Sequence, residues 1–227
     1  AQTALFIFLM YCVVYTATTL LVTGSITNVE YNYYIYFAVN AVLVICAYGL
    51  IFLFERTFGL VSNITLVELT NVNSNLMLEF AEKAPGTFQH SLQVSNLATE
   101  AAKRIGAKVL LVRTGALYHD IGKMLHPECF IENQTGVNPL QSMPYTEAAK
   151  IIISHVEDGE RIARKHHLPE LIVHFIRSHH GTSVTRYFYN SAVNAAKSEG
   201  GSIADIRKED FAYPGPKPST KEAAILM

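Results

Sequence analysis

The chain has 227 residues, a formal net charge of −1 and three cysteines. This length allows one sizeable core plus a smaller unit, and the near-zero charge argues against a nucleic-acid polymer as partner. The cysteines are far apart, at positions 12, 46 and 129. Their spacing excludes a compact disulfide framework and favours a reducing compartment for the charged part of the chain.

Two long apolar segments open the chain. Residues 1–54 contain a single charged residue, Glu30, and every Lys and Arg lies from Arg56 onward. Residues 4–23 and 33–54 are uncharged and long enough to cross a bilayer as helices. A cleaved signal peptide is disfavoured because no basic segment precedes the first run. Buried helices of a soluble protein remain an alternative.

The distribution of basic residues predicts an orientation. The connection 24–32 carries no Lys or Arg, whereas basic residues follow the second apolar segment. The positive-inside bias therefore places residues 24–32 outside and everything after Phe54 in the cytoplasm. An aromatic belt is expected at the outer interface, formed by Tyr31, Tyr33, Tyr34 and Tyr36.

Residues 55–84 are predicted to be a helical linker. Three asparagines, at positions 71, 73 and 75, interrupt its helical pattern, because Asn competes for backbone hydrogen bonds. We expect two short helices around a bend. These helices could pack on the domain that follows, or on a second copy in a homodimer.

Residues 85–227 show a succession of helical patterns and no convincing strand, which predicts an all-α domain. The first helix follows Pro85, with Val94, Leu97 and Ala98 on its inward face beside His90. The second runs from about 107 to 120 and is ended by Gly122. Residues 126–144, rich in Pro and Gly, are expected to be a lid or wall over a site.

Later helices are expected over residues 145–165, after Pro169, and over residues 187–197. A loop is predicted for residues 200–219, and a further helix begins at Lys221. Gly181 is expected to stop the helix that follows Pro169.

Six potential metal ligands lie on inward faces of four of these helices. An imidazole buried without partners costs about 1–3 kcal/mol, and a metal ion removes that cost by accepting the ring lone pairs. Mixed imidazole and carboxylate ligands suit Mn or Fe. The predicted ligands are His90, His119, Asp120, His155, His179 and His180. The other four histidines fall on loops or outward faces, at positions 126, 166, 167 and 174.

These residues resemble the HD-domain metal-dependent phosphohydrolases. Their surroundings are similar to the seven-transmembrane HD family of cyclic di-AMP phosphodiesterases. The matching segments are residues 84–91 (APGTFQHS), 119–123 (HDIGK), 153–156 (ISHV), 179–182 (HHGT) and 213–218 (YPGPKP).

The resemblance implies a membrane-anchored enzyme of the bacterial inner membrane, with several spans and a cytoplasmic HD domain. Its substrate would be a cyclic dinucleotide, cyclic di-AMP, opened to linear pApA by a hydroxide activated between two divalent ions. One ion would be held by His90, His119 and Asp120. The other would be held by His155, His179 and His180, with Asp120 bridging the pair.

The resemblance also gives roles to two further residues. Lys123 would act on a substrate phosphate oxygen, with a solvated helix-terminal lysine as the alternative. Thr182 would contact substrate, with a helix cap as the alternative.

The chain departs from the family pattern in two ways. The family closes the first metal with an aspartate a few residues into the helix that begins near Lys221, whereas this chain ends at Met227. The family also has seven spans, and two are seen here. We therefore expect an internal piece of a longer protein, with its first metal under-coordinated and its activity impaired.

Two other functions remain open. One is an HD enzyme acting on cyclic di-GMP, a nucleoside triphosphate or a monophosphate. The Gly-Tyr-Pro signature of the cyclic di-GMP enzymes is absent after His180, which disfavours that substrate. The other is a non-catalytic membrane receptor or scaffold, disfavoured because the ligand positions that the chain spans are filled.

Overall fold

The computed structural model describes residues 2–198 and 206–227. It divides into two compact units, Ala1–Ser62 and Asn63–Met227. Helices dominate both units, and the described residues contain no strand beyond an isolated bridge between Val184 and Ala212. The expectation of an all-α chain, with two apolar helices ahead of a helical domain, is confirmed.

The first unit consists of two long helices, α1 (Gln2–Thr23) and α2 (Asn32–Phe58), joined through a short 3-10 turn. Aromatic rings pack between the helices, with the centroids of Tyr15 and Tyr33 separated by 4.9 Å. Both helices are long and apolar enough to cross a membrane, with mean hydropathies of 2.2 and 2.5. Their large apolar side chains are mostly exposed, as expected of helices that meet lipid rather than a protein core.

The second unit is a bundle of eight helices in its described part, with 3-10 turns between several of them. Their bounds are α3 Asn63–Leu69, α4 Asn75–Lys83, α5 Pro85–Arg104, α6 Val109–Tyr118, α7 Tyr145–Lys165, α8 Glu170–Ser178, α9 Arg186–Ser198 and α10 Lys221–Ala224. The first six residues of the predicted loop 200–219 lie outside the described residues.

The two short linker helices, α3 and α4, pack on the domain that follows them. Met77 and Phe80 are fully buried, and the Tyr118 hydroxyl donates a hydrogen bond to the Leu69 carbonyl over 3.0 Å. These contacts make α3 and α4 part of the second unit. Packing on a second copy stays a prediction.

Helix α5 buries only part of the face predicted for it: Ala98 is buried and Val94 packs against the core, but Leu97 does not. Leu97 is 74% exposed, whereas the small residues of α5 face inward. The reason is proximity: α5 lies along α6, where Ala98 and Ala102 pack on Val112 and Ala116. Small side chains allow this close approach, so size decided the buried face rather than hydrophobicity alone. The inward residues are Thr87, Ser91, Ser95, Ala98, Thr99 and Ala102.

The segment 126–144 forms an ordered wall. It contains three short 3-10 turns, Pro127–Cys129, Ile131–Asn133 and Pro139–Ser142. Its apolar side chains Phe130 and Leu140 form a cluster with the start of α7. Burial of these side chains holds the segment against the bundle.

Candidate metal centre

Four helix segments bring the predicted ligands together. His90 comes from α5, His119 and Asp120 follow α6, His155 lies in α7, and the last pair follows α8. The ligand atoms form two groups, and within each group they lie within 4.8 Å of one another. The first group is His90, His119 and Asp120, and the second is Asp120, His155, His179 and His180.

Asp120 belongs to both groups, and each of its carboxylate oxygens faces a different one. Oδ2 lies 3.1 Å from Nε2 of His119 and 4.0 Å from Nε2 of His90. Oδ1 lies 3.4 Å from Nε2 of His155 and 3.5 Å from Nε2 of His179. The carboxylate is therefore placed to bridge two ions.

Backbone carbonyls set the tautomers of three imidazoles. Nδ1 of His119, His155 and His179 lies 2.6–2.8 Å from the carbonyl oxygen three residues earlier on its helix. A carbonyl only accepts, so each neutral ring carries its proton on Nδ1 and leaves a bare lone pair on Nε2. Those lone pairs point at one another and at Asp120, with Nε2 of His155 and His179 only 3.2 Å apart.

This donor set fits a metal ion. Lone pairs directed at a carboxylate repel it, and Asp120 Oδ1 is buried without a hydrogen-bond partner. A cation placed among these atoms would satisfy all of them at once. Nitrogen and oxygen donors together suit a first-row divalent ion.

Burial keeps two of the ligands, His179 and His180, in the neutral form. It lowers the pKa of His179 to about 4. Burial, with the neighbouring imidazoles of His179 and His155, lowers the pKa of His180 to about 2. His179 and His180 are therefore neutral at neutral pH, the form in which an imidazole binds a metal ion.

Gly122 was predicted to end the second helix of the domain, but the structure gives it a different role. Helix α6 already ends at Tyr118, and Gly122 lies inside a 3-10 turn, Ile121–Leu125. A Cβ at Gly122 would overlap the carbonyl oxygen of His155. Glycine is needed here because the backbone that carries Asp120 approaches the backbone of α7 directly.

Two of the predicted ligands, His90 and His180, are more exposed than the other four. The His90 side chain is 49% exposed, so it lies at the mouth of the cluster rather than on the inward face predicted for it. His180 is partly exposed and stacks on Tyr213, with ring centroids 4.1 Å apart and planes at 16°. The sequence motifs predicted no role for Tyr213, although it is the first residue of the YPGPKP segment.

Lys123 is not a solvated helix-terminal lysine. Its side chain is 14% exposed, and Nζ lies 2.9 Å from Asp120 Oδ2 and 2.8 Å from Glu132 Oε1. Burial alone would lower the pKa of Lys123, but the two carboxylates outweigh it and raise that pKa. No role was predicted for Glu132, because it lies in an irregular segment whose contacts with Lys123 and Thr87 follow no helical spacing.

Thr182 is exposed in the turn that follows His180. Since α9 begins only at Arg186, Thr182 does not occupy the N-cap position of that helix. The four histidines given no metal role stay outside both ligand groups. Among them, His174 Nε2 lies 3.0 Å from the Ser219 hydroxyl oxygen.

Comparison with known proteins gives consistent matches. The HD domain family model matches residues 87–227. The cyclic-di-AMP phosphodiesterase PgpH of Listeria monocytogenes is 45% identical over 179 residues, which cover 78% of this chain and 24% of that protein. The protein of the same name from Bacillus subtilis is 38% identical over 231 residues, 99% of this chain and 31% of that protein. The chain thus spans about a quarter to a third of these relatives.

A solved structure agrees with the sequence matches. The HD domain of L. monocytogenes PgpH in complex with cyclic-di-AMP superposes with a TM-score of 0.62 and 43% identity. The superposition covers 69% of this chain and 71% of that structure. The resemblance inferred from the motifs is confirmed, and because the family model spans most of the second unit, this chain belongs to the HD-domain family.

Proposed function

We propose that this chain is part of a membrane-anchored, metal-dependent phosphodiesterase that opens cyclic di-AMP to linear pApA. The observation that carries the proposal is the shared carboxylate of Asp120, buried between two sets of imidazole lone pairs. The similarity to PgpH proteins, which are cyclic-di-AMP phosphodiesterases by name, selects the substrate among phosphate esters.

Two divalent ions, Mn or Fe, are the proposed cofactors. His90, His119 and Asp120 would hold one, and His155, His179 and His180 would hold the other together with Asp120. When bound, such a pair lowers the pKa of a water molecule and supplies the nucleophile that attacks phosphorus. The chain's own contribution is to fix the tautomers, to keep His179 and His180 neutral and to exclude protein donors from the Nε2 atoms.

Lys123 and Thr182 are the proposed substrate contacts. The Lys123 ammonium lies beside Asp120, where it can neutralise a phosphate oxygen as charge develops in the transition state. Thr182 is exposed next to the last ligand pair, so its hydroxyl is free to reach a bound nucleotide.

The apolar unit supports a position in the bacterial inner membrane. We infer that α1 and α2 span the bilayer, that residues 24–32 face outward, and that the HD domain is cytoplasmic. The proposed division is a membrane part over residues 1–54, a helical linker over residues 55–84 and the HD domain over residues 85–227. The lipid contact is expected because both helices are apolar on all sides.

The test is hydrolysis with a metal measurement beside it. The protein is purified in detergent, loaded with Mn or Fe, washed and assayed for metal and for conversion of cyclic di-AMP to pApA. We expect His119→Ala and Asp120→Asn to abolish product, and His126→Ala to behave as wild type, because His126 lies on an exposed loop. Protein that retains no metal with all its histidines intact would overturn the proposal. Faster turnover of cyclic di-GMP would overturn the substrate.

A further inference from the structure

The Lys123 ammonium is held between two carboxylates. Its Nζ lies 2.9 Å from Asp120 Oδ2 and 2.8 Å from Glu132 Oε1, over the ring of Phe130 at 4.9 Å. Lys123 lies in the 3-10 turn that directly follows Asp120, whereas Glu132 lies in the wall segment, nine residues after Lys123.

Helix α5 fixes the position of Glu132. The Thr87 hydroxyl donates a hydrogen bond to Glu132 Oε1 over 3.0 Å. Asn133 holds Thr87 in turn: its Oδ1 accepts from the Thr87 backbone N–H over 3.0 Å, and its Nδ2 donates to the Thr87 hydroxyl over 2.7 Å. Thr87 is fully buried, so every hydrogen-bonding group of its side chain is satisfied within the network.

Gly86 permits this arrangement. A Cβ at Gly86 would overlap the carbonyl group of Glu132, so the wall segment meets the first turn of α5 backbone to backbone. The same helix carries His90. The contact between Gly86 and Glu132 therefore connects the wall segment, which contacts Lys123, to the helix that carries His90.

A lysine beside a site for two divalent cations needs a counter-charge. The ions would repel the ammonium, and their bond to Asp120 would weaken its attraction for Lys123. Glu132 lies outside the ligand groups, so its charge remains available to Lys123. We propose that Glu132, held by Thr87 and Asn133, is a positioning residue that keeps the Lys123 ammonium at the metal centre for contact with a substrate phosphate, a role that rests on the proposed phosphodiesterase function.

The first test needs neither substrate nor metal. Folded, chelator-treated protein is acetylated briefly, and the acetylation of each lysine is measured by peptide mass spectrometry. We expect Glu132→Gln to speed acetylation of Lys123 about three- to tenfold, the effect of one lost hydrogen bond. Exposed Lys83 serves as internal reference. The matched control is Glu128→Gln, a change of an exposed carboxylate in the same wall segment.

Variants of Thr87 separate positioning from general damage. Thr87→Val removes the hydroxyl that holds Glu132, and we expect it to release Lys123 to acetylation, whereas Thr87→Ser should restore the wild-type rate. Equal acetylation of Lys123 in the wild type, Glu132→Gln and Glu128→Gln would overturn the proposal.

The second test is a double-mutant cycle in hydrolysis. We expect Glu132→Gln to lower kcat/KM at least about tenfold with bound metal unchanged, and to have less than about a twofold further effect in a Lys123→Met background. Independent, multiplicative effects of the two changes would contradict positioning through Lys123. If wild type hydrolyses no cyclic dinucleotide, the proposed function fails, while the acetylation result still decides the role of Glu132.

Discussion

At the scale of single residues, the site depends on which nitrogen of each histidine is bare. A carbonyl three residues earlier accepts a hydrogen bond from the Nδ1–H of His119, His155 and His179. Each of these histidines ends or lies within a helical turn, so its own helix supplies the acceptor. The ligand set is thus oriented by local backbone, and only the meeting of the Nε2 atoms requires the tertiary fold.

Acid should destabilise the metal-free chain. Burial lowers the pKa of His179 to about 4 from the usual 6.5, so between these values the unfolded chain binds more protons than the folded one. The free energy of unfolding therefore increases as the pH rises through this window and decreases as the pH falls through it. The contribution of His179 is on the order of 3 kcal/mol, and the lowered pKa of His180 acts in the same direction.

Urea unfolding of chelator-treated protein at a series of pH values measures this effect. We expect His179→Gln to flatten the dependence between about pH 4 and 6.5, and His126→Ala, the exposed control, to leave it unchanged. A dependence that is the same in His179→Gln as in wild type would show that other groups cause it.

At the scale of elements, the contact of the Ile121–Leu125 turn with α7 sets the distance between ligands. The Gly122 φ is not positive, so the requirement for glycine there is space. We expect Gly122→Ala to push Asp120 away from His155, lower the free energy of unfolding by about 3 kcal/mol and weaken metal binding. Thermal unfolding and metal titration check this. Gly136→Ala is the control, because a Cβ there meets nothing within 4 Å.

The start of α6 depends on a carboxylate from far along the chain. Glu222 Oε1 accepts a hydrogen bond from the Lys108 N–H over 3.1 Å, and the Lys108 side chain makes no cap. That hydrogen bond also lowers the pKa of Glu222. We expect Glu222→Ala to cost about 1 kcal/mol of stability, measured by denaturant unfolding. Glu209→Ala, at an exposed position, should cost nothing measurable.

At the scale of the whole molecule, the first unit exposes most of its large apolar side chains, whereas the second buries a core. The second unit has a core of its own that includes α3 and α4, with Met77 and Phe80 fully buried. We expect a fragment of residues 63–227 to be folded and soluble without detergent. A fragment of residues 85–227 should lose at least about 5 kcal/mol, because two large core side chains are removed.

Circular dichroism and size-exclusion chromatography distinguish these fragments. Aggregation of residues 63–227 in every buffer would show that the boundary between the units is wrong. Equal stability of the two fragments would show that α3 and α4 contribute no core. Either result would leave the metal prediction to be tested in the intact protein.

Much of this protein's helical structure could be predicted from local patterns in its sequence. Uncharged runs located α1 and α2, helical spacing located most later helices, and His119-Asp120 marked the candidate centre before any contact was known. These features could be predicted because hydropathy and periodicity act over one helix length. The buried face of α5 was predicted only in part: Ala98 is buried as expected, but close packing of α5 on α6 favoured small residues over Leu97.

Only the tertiary structure decided which atoms meet. Asp120 faces both ligand groups, and Glu132 contacts Lys123 while Thr87 holds it in place. Glu222 caps the start of α6 by accepting a hydrogen bond from a backbone N–H 114 residues earlier in the sequence. Such contacts depend on the approach of backbones at Gly86 and Gly122. The spacing of residues in the sequence determines which face of its own helix a side chain occupies. The distance between two helices is set instead by the side chains packed between them.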